Sequence, residues 1–145
     1  MPAYTKRGNM VIVRLDPGEE IIAELKNVCM KEKVILGTVQ GIGSTNKVTI
    51  GSFSTATKEY HKKTFTEDHE IVSLMGNITT MNDEVYLHLH ITLGDKGYNT
   101  WSGHLDGAVV SGTAEIIITL IDGKIGRYKD EKVGLNLLRI GNAHE

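Results

Sequence analysis

Three histidines lie within one twenty-residue stretch, YLHLHITLGDKGYNTWSGHL, and their type and spacing suit metal chemistry: His88, His90 and His104. Three neutral imidazoles that converge on one point are what Zn²⁺ needs in a site that keeps one position open for water or substrate. Ni²⁺, Fe²⁺ or Mn²⁺ would accept the same ligands, so the ligand type does not name the metal. The trio therefore predicts a metal or small-ligand site, with structural histidines or metal-free acid–base chemistry as alternatives.

The first two histidines are placed by strand alternation. Apolar and polar residues alternate strictly over residues 85–93, which is typical of a strand with one buried face. His88 and His90 then project from the other face, about 6.5–7 Å apart along the strand.

The third histidine is placed by the turn GDKG. We expect Gly94 to pair with Tyr98 around a three-residue loop in which Gly97 takes the left-handed conformation. In that register His88 lies directly opposite His104, and all three rings can converge. A slip of one residue would turn His104 to the opposite face, so the predicted cluster depends on this turn.

Three further polar residues are candidates for the same site. Glu115 lies in the otherwise apolar segment VVSGTAEIIITLI and is the candidate catalytic group, as a fourth ligand, an acceptor behind the ligands or a proton carrier. A carboxylate at an edge or subunit interface is its alternative. Asp106 is placed to orient an imidazole, with a turn carboxylate as its alternative. Asn77, in SLMGNI, is a candidate to point into the same cavity.

One helix and many strands would have to position these residues. A helix is predicted at about residues 17–32, with Asp16 as N-cap, Pro17 at the first helical position and an apolar face from Ile21 onward. Strands are predicted at 10–15, 34–42, 47–53, 59–65, 70–80, 85–93, 100–105, 109–121, 124–128 and 136–140. GIGSTN, MNDE and residues 121–124 are the expected turns. The class is α+β, with an antiparallel, barrel-like or two-layer sheet.

Composition limits the remaining possibilities. The 145 residues are 40% apolar and 23% charged, which fits one domain and neither a disordered chain nor a membrane protein. Cys29 is the single cysteine, so no internal disulfide forms, and a cytoplasmic location is expected. The net charge of −2 weighs against a strong nucleic-acid binder. The pair Gly41 and Gly43 has no third glycine and no following helix, so it indicates a turn and not a dinucleotide site.

Six stretches together resemble one known family: RLDPGEEI, GIGSTNKVTIGSF, EIVSLMGNI, LHLHITLGDKG, SGHLDGAVV and TAEIIIT. They are similar to the plants-and-prokaryotes-conserved (PPC) domain in its stand-alone prokaryotic form. The resemblance covers about residues 8–128, the core of a single domain spanning 1–145, with 129–145 as a C-terminal extension. Ser102 departs from the glycine that relatives often have before Gly103.

The resemblance implies an antiparallel sheet with one main helix, assembled as a homotrimer. It also implies kinship in fold to acetolactate decarboxylase, whose zinc is held by a His-x-His pair and a later histidine, matched here by His88, His90 and His104. Glu115 matches the usual Thr-Ala-Glu motif. The family is often described as DNA-binding, but this sequence lacks the Arg-Gly-Arg-Pro core of an AT-hook. A DNA-associated regulatory or assembly module without catalysis is therefore the alternative function.

Overall fold

Antiparallel strands make up most of the structure, a computed structural model that describes residues 2–141. The elements in chain order are β1 (Ala3–Arg7), β2 (Met10–Leu15), α1 (Ile21–Glu32), β3 (Gly37–Ser54), β4 (Glu59–Phe65), β5 (His69–Met81), β6 (Glu84–Gly94), β7 (Thr100–Leu120), β8 (Arg127–Asp130) and β9 (Leu135–Leu138). Residues 142–145, the end of the predicted extension, lie outside the described residues. Among the helices of the described part, none has the length and apolar character needed to span a bilayer.

Seven strands form one sheet in the order β1-β2-β7-β6-β5-β3-β4, and β7 also pairs with β3. Strands β3, β5, β6 and β7 are therefore paired in a cycle, and all of these pairs are antiparallel. A separate two-stranded sheet consists of β8 and β9. The predicted α+β class, mainly antiparallel with one helix, is confirmed.

The core is filled from one face of the sheet and from α1. On β6 the residues Leu89, Ile91 and Leu93 are at most 1% exposed, as strand alternation predicts. The helix contributes an apolar face of four fully buried residues at helical spacing, Ile21, Leu25, Val28 and Cys29. The alternate residues of β6 and β7 consequently lie on the outer face of the sheet, which is where the histidines are.

The helix begins at Ile21, four residues later than the predicted start at residue 17. Its N-cap is Glu20, whose side chain accepts a hydrogen bond from Ala23 N at 2.7 Å. The preceding segment is held on β7, because Gly18 N donates to Val110 O and Val110 N donates to Glu19 O, each at 2.9 Å. These tertiary hydrogen bonds outweigh the local capping signal.

Two predicted breaks within strands are wrong. The GIGSTN segment continues β3 instead of turning, and β7 is one strand across the expected gap between residues 105 and 109. The turn-forming residues of GIGSTN are accommodated by shifts of the strand register. Between two of these register shifts, the Thr45 hydroxyl donates to Val109 O at 2.6 Å, so a β-bulge replaces the expected turn.

The predicted hairpin at residues 121–124 is also wrong. Ile121 N donates to Leu36 O, and the chain then runs along the end of β5, where Thr80 N donates to Ile125 O at 3.1 Å. Strand β8 therefore pairs with β9 and not with β7. This path carries Arg127 to the face of the sheet that bears the histidines.

Candidate metal centre

The three histidines come from two neighbouring strands, β6 and β7, and they meet on the outer face of the sheet. His90 lies opposite His104, and His88 lies opposite Asn77 of β5. The predicted pairing of His88 with His104 is therefore wrong by two residues. Because side chains in a strand alternate with a period of two, this shift leaves His104 on the predicted face.

The register differs because the loop between β6 and β7 has five residues, not three. Gly94 pairs with Thr100, and Asp95 N donates to Asn99 O at 3.0 Å. The left-handed residue is Tyr98, at φ 65°, and not Gly97. The Asp95 carboxylate holds the loop by accepting hydrogen bonds from four donors: Gly97 N, Asn99 N, Asn99 Nδ2 and Trp101 Nε1.

The geometry of the histidine trio suits a metal ion. One ring nitrogen from each of His88, His90 and His104 lies within 4.8 Å of the other two. The ring centroids are 5.1 to 5.6 Å apart. A tetrahedral Zn²⁺ with bonds near 2.0–2.1 Å separates its ligand atoms by roughly 3.3 Å, so small side-chain rotations would close the site. The donor set therefore fits a divalent first-row metal.

Electrostatics favour the form of the rings that binds metal. Burial lowers the pKa of His88, and the nearby Arg127 guanidinium lowers it further. Burial also lowers the pKa of His104, an effect that the Asp106 carboxylate partly opposes. A lowered pKa keeps an imidazole neutral at pH 7, and only the neutral ring offers a lone pair to a metal.

Asp106 lies behind His104 and links it to two other side chains. One carboxylate oxygen accepts a hydrogen bond from the Tyr60 hydroxyl at 2.9 Å and lies 3.9 Å from His104 Nε2. The other oxygen is 3.0 Å from the Lys62 ammonium. Burial and the Asp106 carboxylate raise the pKa of Tyr60 to about 12, so Tyr60 remains a donor. Asp106 therefore lies beside His104, and its role in orienting this ring stays a prediction.

Tyr60 reaches this position because its neighbour on β3 has no side chain. A Cβ atom at Gly51 would overlap the Tyr60 hydroxyl and ring. The Tyr60 ring packs edge-on against His104, with centroids 5.9 Å apart. Glycine at position 51 is thus required for the tyrosine to support the histidine.

A cavity of about 940 Å³ opens next to the histidines. All three line it, together with Asn77, and its far wall is the C-terminal hairpin β8–β9. Asn77 does point into the predicted cavity, where its side-chain oxygen accepts a hydrogen bond from Arg127 at 2.8 Å. This volume lies near the upper end of the range for small-molecule sites, which is roughly 300–1,000 Å³.

Glu115 is not brought to the histidines. It lies on β7 eleven residues beyond His104, and it belongs neither to the histidine cluster nor to the lining of the cavity beside it. Its side chain is exposed, opposite Ile42 on β3 and Arg14 on β2, and it lines a separate shallow hollow. The structure therefore places Glu115 outside this cluster, and its position does not support the predicted role as a ligand, acceptor or proton carrier there.

Two functional candidates were missed from the sequence, Tyr60 and Arg127. Tyr60 lies on β4, a strand whose alternation is weak, and nothing local connects it to Asp106. Arg127 follows a turn that was predicted wrongly, so its position could not be inferred. The signal that could have found Tyr60 is Gly51, a glycine inside a strand, which often marks a close approach by another group.

The chain belongs to the Plants and Prokaryotes Conserved (PCC) domain family, whose model matches residues 3–122. This confirms the family resemblance. His88, His90 and His104 lie within the match, whereas Arg127 lies beyond its end.

Solved structures share the fold over nearly the whole chain. A protein from Bacteroides thetaiotaomicron, described as "a putative DNA binding protein", is 38% identical with a TM-score of 0.93, and the match covers 95% of this chain and 96% of that one. The Pyrococcus horikoshii plant- and prokaryote-conserved protein is 32% identical with a TM-score of 0.82, over 94% and 93% of the chains. An Archaeoglobus fulgidus protein described as metal-containing is 28% identical with a TM-score of 0.83, over 94% and 98%.

Curated relatives are much longer proteins. Bifunctional protein GlmU of Synechococcus sp. (strain JA-3-3Ab) is 28% identical over 136 residues, which are 92% of this chain and 21% of that protein. The chain thus spans about a fifth of the length of this relative.

Proposed function

We propose that this protein binds a divalent metal ion, with Zn²⁺ as the first candidate, through His88, His90 and His104. The observation that carries the proposal is the convergence of three ring nitrogens within 4.8 Å at the edge of a cavity. No hydrogen bond joins the rings of His88 or His90 to another of the described residues, so their nitrogens are available for a ligand. The Archaeoglobus fulgidus relative described as metal-containing supports the same conclusion.

The site's own residues would hold the ion and keep a small molecule beside it. Asp106 orients His104, and the cavity gives room for a ligand on the solvent side of the rings. A bound divalent cation would supply Lewis acidity, which polarises a carbonyl group or lowers the pKa of water.

Metal content measured by mass spectrometry on protein purified without a polyhistidine tag tests the proposal. We expect close to one ion per chain in the wild type, and a loss of at least tenfold in the triple variant His88→Ala, His90→Ala, His104→Ala. The matched control is His61→Ala, because that ring is exposed and outside the cluster. A folded triple variant that retains the wild-type metal content would contradict the proposal.

We also propose that the protein assembles as a homotrimer through the outer face of the main sheet. Exposed apolar side chains lie in one row there: Ile12 of β2 faces Ile117 of β7, Ile117 faces Gln40 of β3, and Gln40 faces Met75 of β5. Met75 is 58% exposed and the nearby Ile42 is 57% exposed. A contiguous apolar surface of this kind is typical of an interface. Glu115 lies beside Ile42 on this face, which supports its interpretation as a subunit-interface carboxylate.

Sedimentation equilibrium tests the assembly. The expected mass is about three times the 15.9 kDa of one chain. Ile12→Asp should dissociate the trimer, because Ile12 is 42% exposed on the proposed interface. Met30→Asp should not, because Met30 is 62% exposed on α1, away from the sheet. A wild-type protein that sediments as a monomer at micromolar concentration would contradict this part of the proposal.

DNA binding is the second candidate function, and one observation favours it. The Bacteroides thetaiotaomicron relative, described as above, matches nearly the whole chain at 38% identity. An assembly that groups weak basic patches would bind duplex DNA by neutralising phosphates, so its affinity should fall steeply with salt. A mobility-shift assay at low and at physiological salt tests this, and no shift at low salt would remove the candidate. The cytoplasmic location expected from the sequence stays a prediction.

A further inference from the structure

A buried arginine without an acidic partner lines the cavity next to the histidines. Arg127 is 8% exposed. Its guanidinium donates to three oxygens, each at 2.8 Å: the hydroxyl of Thr79, the backbone carbonyl of Asn136 and the side-chain carbonyl of Asn77. All three acceptors are neutral, so they satisfy donors without balancing the positive charge. Since a buried charge is costly unless it is paired, the site lacks one anion.

The rest of the cavity wall does not supply that anion. No aspartate or glutamate is among the described residues that line it, whereas Lys129 is a second cationic residue there. The face of the guanidinium lies over the Tyr86 ring, with its central carbon 4.7 Å from the ring centroid. Tyr86 and His88 are alternate residues on the same face of β6, so Arg127 is about one strand repeat, roughly 7 Å, along from the first histidine.

The unused donors of Arg127 match one chemical group. A guanidinium has five N–H donors, of which the protein uses one at each of the three nitrogens, leaving two at the terminal nitrogens. Two such donors are the number that a carboxylate accepts in a bidentate pair. The stacking on Tyr86 fixes the plane of the guanidinium, which makes that recognition directional.

We propose that the ligand of this cavity is a small organic carboxylate, held by Arg127 at one end and directed toward the three histidines at the other. This inference rests on the proposed function for the position of the metal, but the carboxylate site itself consists of protein groups alone. It also rests on residues beyond the family match, which ends at residue 122.

Isothermal titration calorimetry with defined probes tests the proposal. Acetate, pyruvate and succinate are titrated into the Zn²⁺-loaded and the metal-free wild-type protein, with methyl pyruvate as the neutral control and inorganic phosphate as the competing anion. We expect at least one of the carboxylates to bind with a Kd in the millimolar range or tighter, and methyl pyruvate to bind at least tenfold more weakly than pyruvate. Binding by phosphate alone, or by none of the probes, would overturn the proposal.

A variant pair assigns the binding to Arg127. Arg127→Gln should weaken carboxylate binding at least tenfold, whereas Arg7→Gln, an exposed arginine on β1, should leave it unchanged. Equal affinities in both variants would also overturn the proposal. If Arg127→Gln does not fold, the Nε–H resonance of Arg127 in the wild-type protein decides: it should shift with the bound carboxylate and not with methyl pyruvate.

Comparing the Zn²⁺-loaded with the metal-free protein distinguishes a failure of the carboxylate proposal from a failure of the metal proposal. If no metal binds but carboxylates bind in an Arg127-dependent way, the metal proposal fails and the carboxylate proposal stands. If metal binds at the histidines and no carboxylate binds to either form, the carboxylate proposal fails alone.

Discussion

A tyrosine hydroxyl and a lysine ammonium contact the Asp106 carboxylate and hold it beside the His104 ring. Tyr60 and Lys62 hold its two oxygens at 2.9 and 3.0 Å, so the carboxylate cannot rotate freely away from the ring. A carboxylate fixed in this way orients a metal ligand and increases its basicity. We therefore interpret Asp106 as a positioning residue for the proposed metal centre.

Asp106→Asn tests this positioning role. We expect the affinity for Zn²⁺ to fall about tenfold, the lower end of the range for partners that support metal ligands, because a neutral amide stabilises the ligand ring less. Competition with a zinc-binding dye gives the affinity. Asp122→Asn is the matched control, since Asp122 is an exposed carboxylate after the end of β7. A purely structural Asp106 would change the melting temperature and leave the zinc affinity at the wild-type value.

Among the strands, the contact between β5 and β6 positions His88. Gly76 of β5 lies opposite Leu89, and a Cβ atom at Gly76 would overlap the backbone oxygen of His88. The two backbones are close because position 76 has no side chain. The position of His88 therefore depends on Gly76, which is not itself a candidate metal ligand.

Gly76→Ala tests that dependence. We expect a loss of about 1–3 kcal/mol in the free energy of unfolding, because the added methyl group forces the strands apart. The shift of His88 should also weaken zinc binding. Gly126→Ala is the control, since a Cβ atom there would meet its nearest neighbour, Thr80 O, at 3.9 Å. Urea denaturation measures the free energy of unfolding, and the dye competition measures the zinc affinity. An unchanged free energy of unfolding in Gly76→Ala would contradict the close approach of β5 and β6 at this position.

The elements also show what the sequence could predict. Strict alternation predicted the buried face of β6 correctly, and the MNDE hairpin is present with Asn82 and Asp83 at positive φ. The start of α1 and the continuity of β3 were not predictable, because hydrogen bonds to distant parts of β7 decide both. Local signals at Asp16 and GIGSTN favoured structures that those tertiary contacts override.

For the candidate site, the sequence predicted the three histidines even though the loop length was wrong. The error of two residues preserved the face of His104, and an error of one would have removed it. Glu115 was assigned to the site because a carboxylate in an apolar strand needs a polar partner or water. In the structure its side chain is exposed on the outer face of the sheet. Arg127 was out of reach, since its position depends on the path of the chain after β7.

For the whole molecule, the lowered pKa values of His88 and His104 predict how stability depends on pH. Burial brings both below the usual 6.5 in the folded protein, so the unfolded chain takes up protons first as the pH falls. The metal-free protein should therefore keep its full stability above about pH 6.5 and lose stability as the pH falls below it.

Thermal denaturation between pH 7.5 and 5.5 measures this dependence. We expect the melting temperature of the metal-free wild type to fall over that window, and the fall to be smaller in the double variant His88→Gln, His104→Gln. His61→Gln, on an exposed ring, is the control. A double variant with the same pH dependence as the wild type would show that other groups cause it.

X-ray absorption spectroscopy at the zinc edge on the tag-free protein tests the metal centre most directly. The geometry predicts three imidazole nitrogens at about 2.0–2.1 Å around the ion, plus one oxygen ligand, from water or a bound small molecule, in the open position. The triple alanine variant at positions 88, 90 and 104 should lose this signal. A spectrum without imidazole scattering, or one that is identical in the variant, would contradict a metal centre at these histidines.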